Sequence, residues 1–144
     1  MSVNTLEQTV TPEQARWIVQ RLSEVFAVST PTMYFDADFP KKYTAYAWPE
    51  MNEIHFRVDY IPWNAPFHEF AHILYTDYTG NSSLVVSEAF AQQFAAMSLT
   101  QGLELLDFQC QVCGNGTVKM LDSGMLECLA CQSLYSVNWL YQHD

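Results

Sequence analysis

An α+β fold is what this sequence predicts, and three observations predict it. Apolar residues recur at helical spacing over 11–28, 64–79 and 84–100, and they alternate with a period of two over much of 32–58. All four cysteines fall in two C-x-x-C pairs near the C-terminus. The expected order is an N-terminal helix, a short antiparallel sheet, two further helices and a small cysteine-clipped module. The expected divisions are a loose leader over 1–10, a main domain over 11–103, and the cysteine module with an apolar C-terminal segment over 104–144. A chain of 144 residues suits one ordinary domain, or a domain of about 100 residues with a small stapled one attached.

The leader is polar and lacks a basic-then-apolar signal pattern, so a cytoplasmic protein is expected. Thr11-Pro12-Glu13-Gln14 then opens a helix, with Thr11 as cap, Pro12 in the first turn and Gln14 completing a capping box. Ala15, Ile18, Leu22, Val25 and Phe26 carry its apolar face to about Val28. Next, Met33 and Phe35, the segment Tyr43 to Trp48, and Ile54, Phe56 and Val58 read as three strands. Turns at Asp38-Phe39-Pro40 and Pro49-Glu50-Met51-Asn52 separate them. Half-buried antiparallel pairing is expected, with one sheet edge bordering a cleft where an extended peptide could add as a strand.

The second helix carries His68-Glu69-Phe70-Ala71-His72, between a cap at Asn64 with Pro66 in the first turn and a stop at Thr79-Gly80-Asn81. Histidines four apart on a helix stand one turn above each other, about 5–6 Å between Cβ atoms, so both rings can reach one metal. Glu69 projects beside the metal and not onto it, where its carboxylate can take a proton from water; H-E-x-x-H on a helix is a known metalloprotease signature. A short motif can arise by chance, and helix histidines are commonly surface groups. Phe67, Phe70, Ala71, Ile73 and Leu74 argue otherwise, because buried ionisable groups among them need a partner that a metal would supply.

Ser82 or Ser83 can cap a third helix, Leu84 to Thr100, ended by Gly102 and expected to be largely buried. Glu88 interrupts its apolar run. Catalytic zinc takes three protein ligands and leaves one position for water, so Glu88, folded back alongside the histidines, is the expected third ligand. Asp77 and His55 are the reserves, and a supporting or exposed position is the competing role for Glu88. Stabilising a tetrahedral intermediate needs a further donor, for which Tyr75, Tyr78, His55 and Arg57 are the candidates.

Cys110-x-x-Cys113 and Cys128-x-x-Cys131, separated by residues 114 to 127, are close to zinc-ribbon spacing and predict a structural zinc on four thiolates. A hairpin turning at Asp122-Ser123-Gly124 would join the halves. Two disulfides are the alternative, which a cytoplasmic chain disfavours. From Leu103 onward Lys119 is the only basic residue, and the whole chain carries a net charge of −10 with six basic residues. Nucleic acid, which requires clustered Lys and Arg, is therefore not an expected partner, and a protein partner for the ribbon is. Leu134, Tyr135, Val137, Trp139, Leu140 and Tyr141 are too apolar for a free tail and are expected to dock. No apolar run reaches the roughly 20 residues of a membrane span, so no membrane is expected.

His68-Glu69-x-x-His72 with the downstream Glu88-Ala89-Phe90-Ala91 resembles the gluzincin branch of the HExxH zinc metallopeptidases, in particular the compact ImmA/IrrE-type proteases, over about residues 12 to 101. With the cysteine pairs behind it, the layout also resembles SprT-like proteins, although those recruit a further histidine after the pentad and this chain has none until His143. The resemblance implies a zincin-like core and peptide-bond hydrolysis. It also implies two Zn2+ per chain: a catalytic one on His68, His72 and Glu88 with Glu69 as general base, and a structural one on the cysteines. The rival from another class is a catalytically silent zincin-fold module that binds or regulates through its ribbon. An enzyme acting on a non-peptide amide is a further alternative.

Overall fold

The computed structural model describes residues 9–36, 44–96, 99–121 and 125–136. Most of the expected leader, the turns at Asp38-Phe39-Pro40 and Asp122-Ser123-Gly124, and Val137, Trp139, Leu140, Tyr141 and His143 lie outside them. The fold is mixed α+β: a helix, a three-stranded sheet, three more helices and a second small sheet. No helix among the described residues is long and apolar enough to cross a membrane.

Helix α1 spans Pro12–Val25 and begins with the full capping box: Gln14 N–H donates to Thr11 Oγ1 at 3.1 Å, and Thr11 N–H donates to Gln14 Oε1 at 2.9 Å. It buries Ala15, Ile18, Val19, Leu22 and Val25 as one stripe. The helix stops short of Val28 because Ala27 adopts φ 55°, and the Val28 N–H turns back to the Ser23 carbonyl at 3.0 Å. This is a left-handed helix stop without the usual glycine. Ahead of α1, Val10 is buried and donates its N–H to Ile61 O at 2.8 Å, so the end of the expected leader is pinned beside the second helix.

Strands β1 (Thr32–Asp36), β2 (Ala45–Trp48) and β3 (Glu53–Arg57) form a sheet ordered β1-β3-β2. Pairing is antiparallel between β2 and β3 but parallel between β1 and β3, which corrects the all-antiparallel expectation. Two chain reversals leave β3 running with β1, and β3 takes the middle because its inward Ile54 and Phe56 are wholly buried. A 3-10 turn, Pro49–Met51, closed by Asn52 at φ 52°, makes the second reversal. β2 is left at the edge, against the second helix.

That helix, α2 (Ala65–Thr79), ends where Gly80 takes φ 78° and donates to Thr76 O at 2.8 Å. A tight turn follows, and α3 (Leu84–Ala95) starts with Ser83 Oγ accepting from Val86 N–H. Phe26, Phe70 and Phe94, with ring centroids 5.8 to 6.5 Å apart, knit α1, α2 and α3 into one core. Two expectations fail here. The third helix is not largely buried: Ser87, Ala91, Phe94 and Ala95 form a single buried stripe while Leu84, Val85 and Val86 face solvent. Nor does it reach Thr100, because a separate helix α4 (Leu99–Leu106) follows with Gly102 inside it. The break lets Leu105 and Leu106 bury, and Arg21 of α1 holds the end of α4 by donating Nε and Nη2 to Leu106 O at 3.1 and 2.6 Å.

The C-terminal sheet is antiparallel, ordered β4 (Val118–Met120), β5 (Met125–Cys128) and β6 (Leu134–Ser136). Val118, Leu126 and Cys128 are its buried residues, and Phe108 meets Tyr135 edge-on at 5.5 Å.

Candidate functional site

One turn of α2 separates His68 from His72, whose ring centroids lie 5.1 Å apart. The turn at 80–83 folds α3 back along α2, which brings Glu88 Oε1 to 3.3 Å from His68 Nε2 and 3.1 Å from His72 Nε2. The three donors all lie within 4.8 Å of one another. Metal–ligand bonds of about 2.0–2.2 Å in tetrahedral geometry put donors about 3.3 Å apart, so the spacing fits an ion of that kind and is compatible with zinc. The second oxygen of Glu88 accepts from Gln92 Nε2 at 3.0 Å, fixing the carboxylate from behind.

His72 is held from the other side too. Ser87 Oγ, 1% exposed, lies 2.6 Å from His72 Nδ1 and 3.0 Å from Ser83 O. With its own proton given to the Ser83 carbonyl, Ser87 accepts from Nδ1–H, which leaves the Nε2 lone pair facing Glu88. Burial, then the nearby His68, lower the His72 pKa against the pull of Glu88, and a neutral imidazole is what a metal requires. Replacing Ser87 by Ala is expected to weaken metal binding at this site about 10- to 100-fold without unfolding the chain. Competition with a chromophoric chelator reads this directly, and unchanged affinity would mean that the ring is oriented by something else.

Glu69 is 8% exposed. Burial, followed by the charge of Glu88, raises its pKa from 4.5 to about 8, opposed by a hydrogen bond from the Ala47 N–H. That donor comes from the sheet edge. Arg57 N–H donates to Thr44 O, so the hydrogen-bonded pairs of β2 and β3 fall at Thr44, Tyr46 and Trp48. The main-chain groups of Ala45 and Ala47 therefore point away from β3, toward the site.

A carboxyl whose folded pKa exceeds its unfolded value stabilises the fold in acid and loses that contribution as pH rises through the folded value. Protein stripped of metal should accordingly lose the Glu69 contribution between pH 4.5 and about 8, on the order of 5 kcal/mol. Denaturant titrations across that window should show a larger loss in the parent than in Glu69→Gln, the difference between the two profiles being the contribution of Glu69.

The reserve ligands stay away. Asp77 lines a separate cavity with Val28, Asn52 and Thr76. His55 is stacked between Tyr34 and Tyr46 at 4.7 and 4.6 Å, its ring nitrogens 3.1 Å from Asp36 and 3.3 Å from Glu53. Tyr75 and Tyr78 pack on Phe90, and Arg57 pairs with Asp59 at 2.8 Å. None of the four candidate donors for a tetrahedral intermediate lines the cavities at the pentad. Ser87, Gln92 and the Ala47 amide were not singled out from the sequence. The one available signal was Ser87 itself, a polar residue within the stripe that continues through Ala91, Phe94 and Ala95.

The four cysteines converge separately. Their sulfurs all lie within 4.8 Å, with Cys110–Cys131 and Cys113–Cys128 each at 3.6 Å. Disulfide sulfurs would stand about 2.05 Å apart, whereas thiolates at 2.3 Å from one tetrahedral ion stand about 3.8 Å apart. The two knuckles repeat one geometry: Gly114 and Gln132, at φ 81° and 63°, donate to Cys110 O and Cys128 O at 2.8 and 3.0 Å. The Tyr135 hydroxyl accepts from Gln111 N–H at 2.9 Å and donates to Cys110 Sγ at 3.1 Å, pulling that thiol down to about 5. The cluster can hold a metal ion in the manner of a zinc ribbon.

No protein-family model, curated protein or solved structure matches the chain, so its chemistry is read from its own residues.

Proposed function

We propose that the protein is a zinc-dependent metallopeptidase of gluzincin type, with a zincin-like core and a C-terminal zinc ribbon. The observation that carries this reading is the convergence of His68 Nε2, His72 Nε2 and Glu88 Oε1 beside a buried Glu69. Zinc on those three donors would lower the pKa of a bound water to about 7 and polarise a scissile carbonyl. Glu69 takes the proton of the attacking water and delivers it to the leaving amine. The Ala47 amide keeps the Glu69 carboxylate aimed, and Ser87 and Gln92 keep His72 and Glu88 in register. Ala45, on the edge of β2 that no strand among the described residues covers, would offer its N–H and C=O to an extended peptide laid alongside as an added strand.

The cysteine cluster is coordinatively closed, so its zinc would stabilise and not catalyse. A second reading, a catalytically silent zincin-fold module that binds protein through its ribbon, is favoured by Val112 and Leu129, exposed on the two knuckles at 72% and 44%. One experiment separates the two. Purified protein should carry two zinc ions and cleave a mixed peptide library, with cleavage stopped by a chelator and restored by zinc. Full zinc content with no cleavage of any peptide would favour the silent module. The cytoplasm is the proposed compartment.

A further inference from the structure

The four cysteines are not equivalent. Cys110 and Cys128 are 4% and 0% exposed and Cys131 is half-buried, whereas Cys113 lies at the surface, on the same knuckle as the exposed Val112. Their sulfurs also differ in the hydrogen bonds they accept. Cys110 Sγ takes the Tyr135 hydroxyl at 3.1 Å and the Val112 N–H at 3.4 Å. Cys131 Sγ takes the Ser133 hydroxyl at 3.0 Å, and Cys128 Sγ takes the N–H groups of Cys131 and Ala130 together with the Asn115 side-chain amide at 3.8 Å. Apart from the other three sulfurs, the one donor that reaches Cys113 among the described residues is the Asn115 N–H.

Sulfur bound to a metal is deprotonated outright, and four thiolates around one divalent ion leave an excess of negative charge on the sulfurs. Side-chain donors draw that charge off three of them, and attack on an electrophile must first loosen those bonds. At Cys113 there is least to loosen and solvent has direct access. Cys128 Sγ stands 3.6 Å away, in reach of an oxidised Cys113. An exposed thiolate with a second thiol beside it is the arrangement that oxidants select.

We infer that Cys113 is a site of oxidation by hydrogen peroxide, with Cys128 as its resolving thiol. The Cys113 thiolate attacks the O–O bond: an S–O bond forms, the O–O bond breaks and hydroxide departs. The Cys128 thiolate then attacks the sulfenic sulfur, the S–S bond forms and a second hydroxide leaves, so one peroxide takes two electrons from two thiolates. Two of the four donors are thereby withdrawn and the ribbon cannot keep its ion. His68, His72 and Glu88 offer nitrogen and oxygen, which peroxide leaves alone, so the effect is confined to the C-terminal sheet. The inference rests on the ribbon holding an ion and does not depend on peptide cleavage.

The test uses the full chain loaded with zinc, its metal content counted beforehand by mass spectrometry. Under limiting N-ethylmaleimide, Cys113 should label about 10-fold faster than any other cysteine, the rate equivalent of one hydrogen bond to a charged group. Hydrogen peroxide should release one ion per chain to a chromophoric chelator, lower the metal-free mass by two hydrogens and leave a Cys113–Cys128 bridge on peptide mapping. A dithiol reductant with added zinc should reverse all three. Cys113→His keeps four donors of kinds that zinc accepts, and it should hold the ion while release by peroxide slows by a similar factor. Should that variant fail to load, the labelling order and the mapped bridge in the unaltered chain decide alone. Labelling spread evenly or led by another cysteine, a first bridge between Cys110 and Cys131, no release, or release undiminished in Cys113→His each overturns the inference and leaves the ribbon standing. No ion on the cysteines at the outset would sink the ribbon reading and the inference with it.

Discussion

Glu69→Gln should retain both metal ions and lose about 10²–10⁴-fold or more in kcat/KM on any peptide the parent cleaves. Glutamine fills the same volume and can still meet the Ala47 amide, but it cannot take a proton. The environment makes the test sharp. Glu69 is buried beside Glu88, and its carboxyl is raised to about 8 when no cation offsets those effects. A cation on His68, His72 and Glu88 would favour its ionised form, so on the peptidase reading metal loading would also activate the base. Metal content by mass spectrometry and peptide hydrolysis by chromatography check the two halves independently. Normal cleavage by Glu69→Gln would remove the residue from proton transfer altogether.

Cys128→Ser should cost the protein one metal ion and the order of its whole C-terminal sheet. Cys128 is fully buried at the end of β5, its N–H donating to Ser133 O at 2.9 Å, so it anchors the turn into β6 and would anchor an ion held by the cluster. The buried residues of this sheet are few, and modules below about 40 residues seldom fold without a staple. Metal at such a site contributes about 10 kcal/mol or more to folding, far beyond what Val118 and Leu126 can replace. Amide exchange should accelerate throughout 110–136 while α1 to α3 stay protected, and the histidine site should still load. Preserved protection across 110–136 in the variant would show that the sheet stands without its clip.

What was legible in the sequence was local. The Thr11–Gln14 capping box, the α2 limits at Asn64 and Gly80, and the paired cysteine knuckles each depend on neighbours within a few residues. The convergence of His68, His72 and Glu88 was nearly as legible, because one tight turn suffices to lay α3 back on α2. The rest depends on distant competition. Nothing near Glu53–Arg57 says that this strand takes the middle of the sheet, since that is decided by which strand has the most apolar inward face. The stop of α1 was hidden because Ala27 fills a position where glycine is the usual signal. The division between α3 and α4 was hidden because the gain lies in burying Leu105 and Leu106 and in the Arg21 contact, which couples residues 85 apart in the chain. Ser87 could have been found, had its polar side chain been weighed against the apolar stripe it shares.

The sheet order has one last consequence. Among the described residues no strand covers the outer side of β2, and although the Ala47 N–H is taken by Glu69, an uncovered strand edge can recruit an extended chain, including the same strand of another molecule. Self-association through that edge would block the cleft. The net charge of −10 opposes it, since like-charged copies repel over about 10 Å at moderate ionic strength. On the peptidase reading, acidity would thus serve as a safeguard that keeps the edge of β2 open to peptides and closed to its own kind.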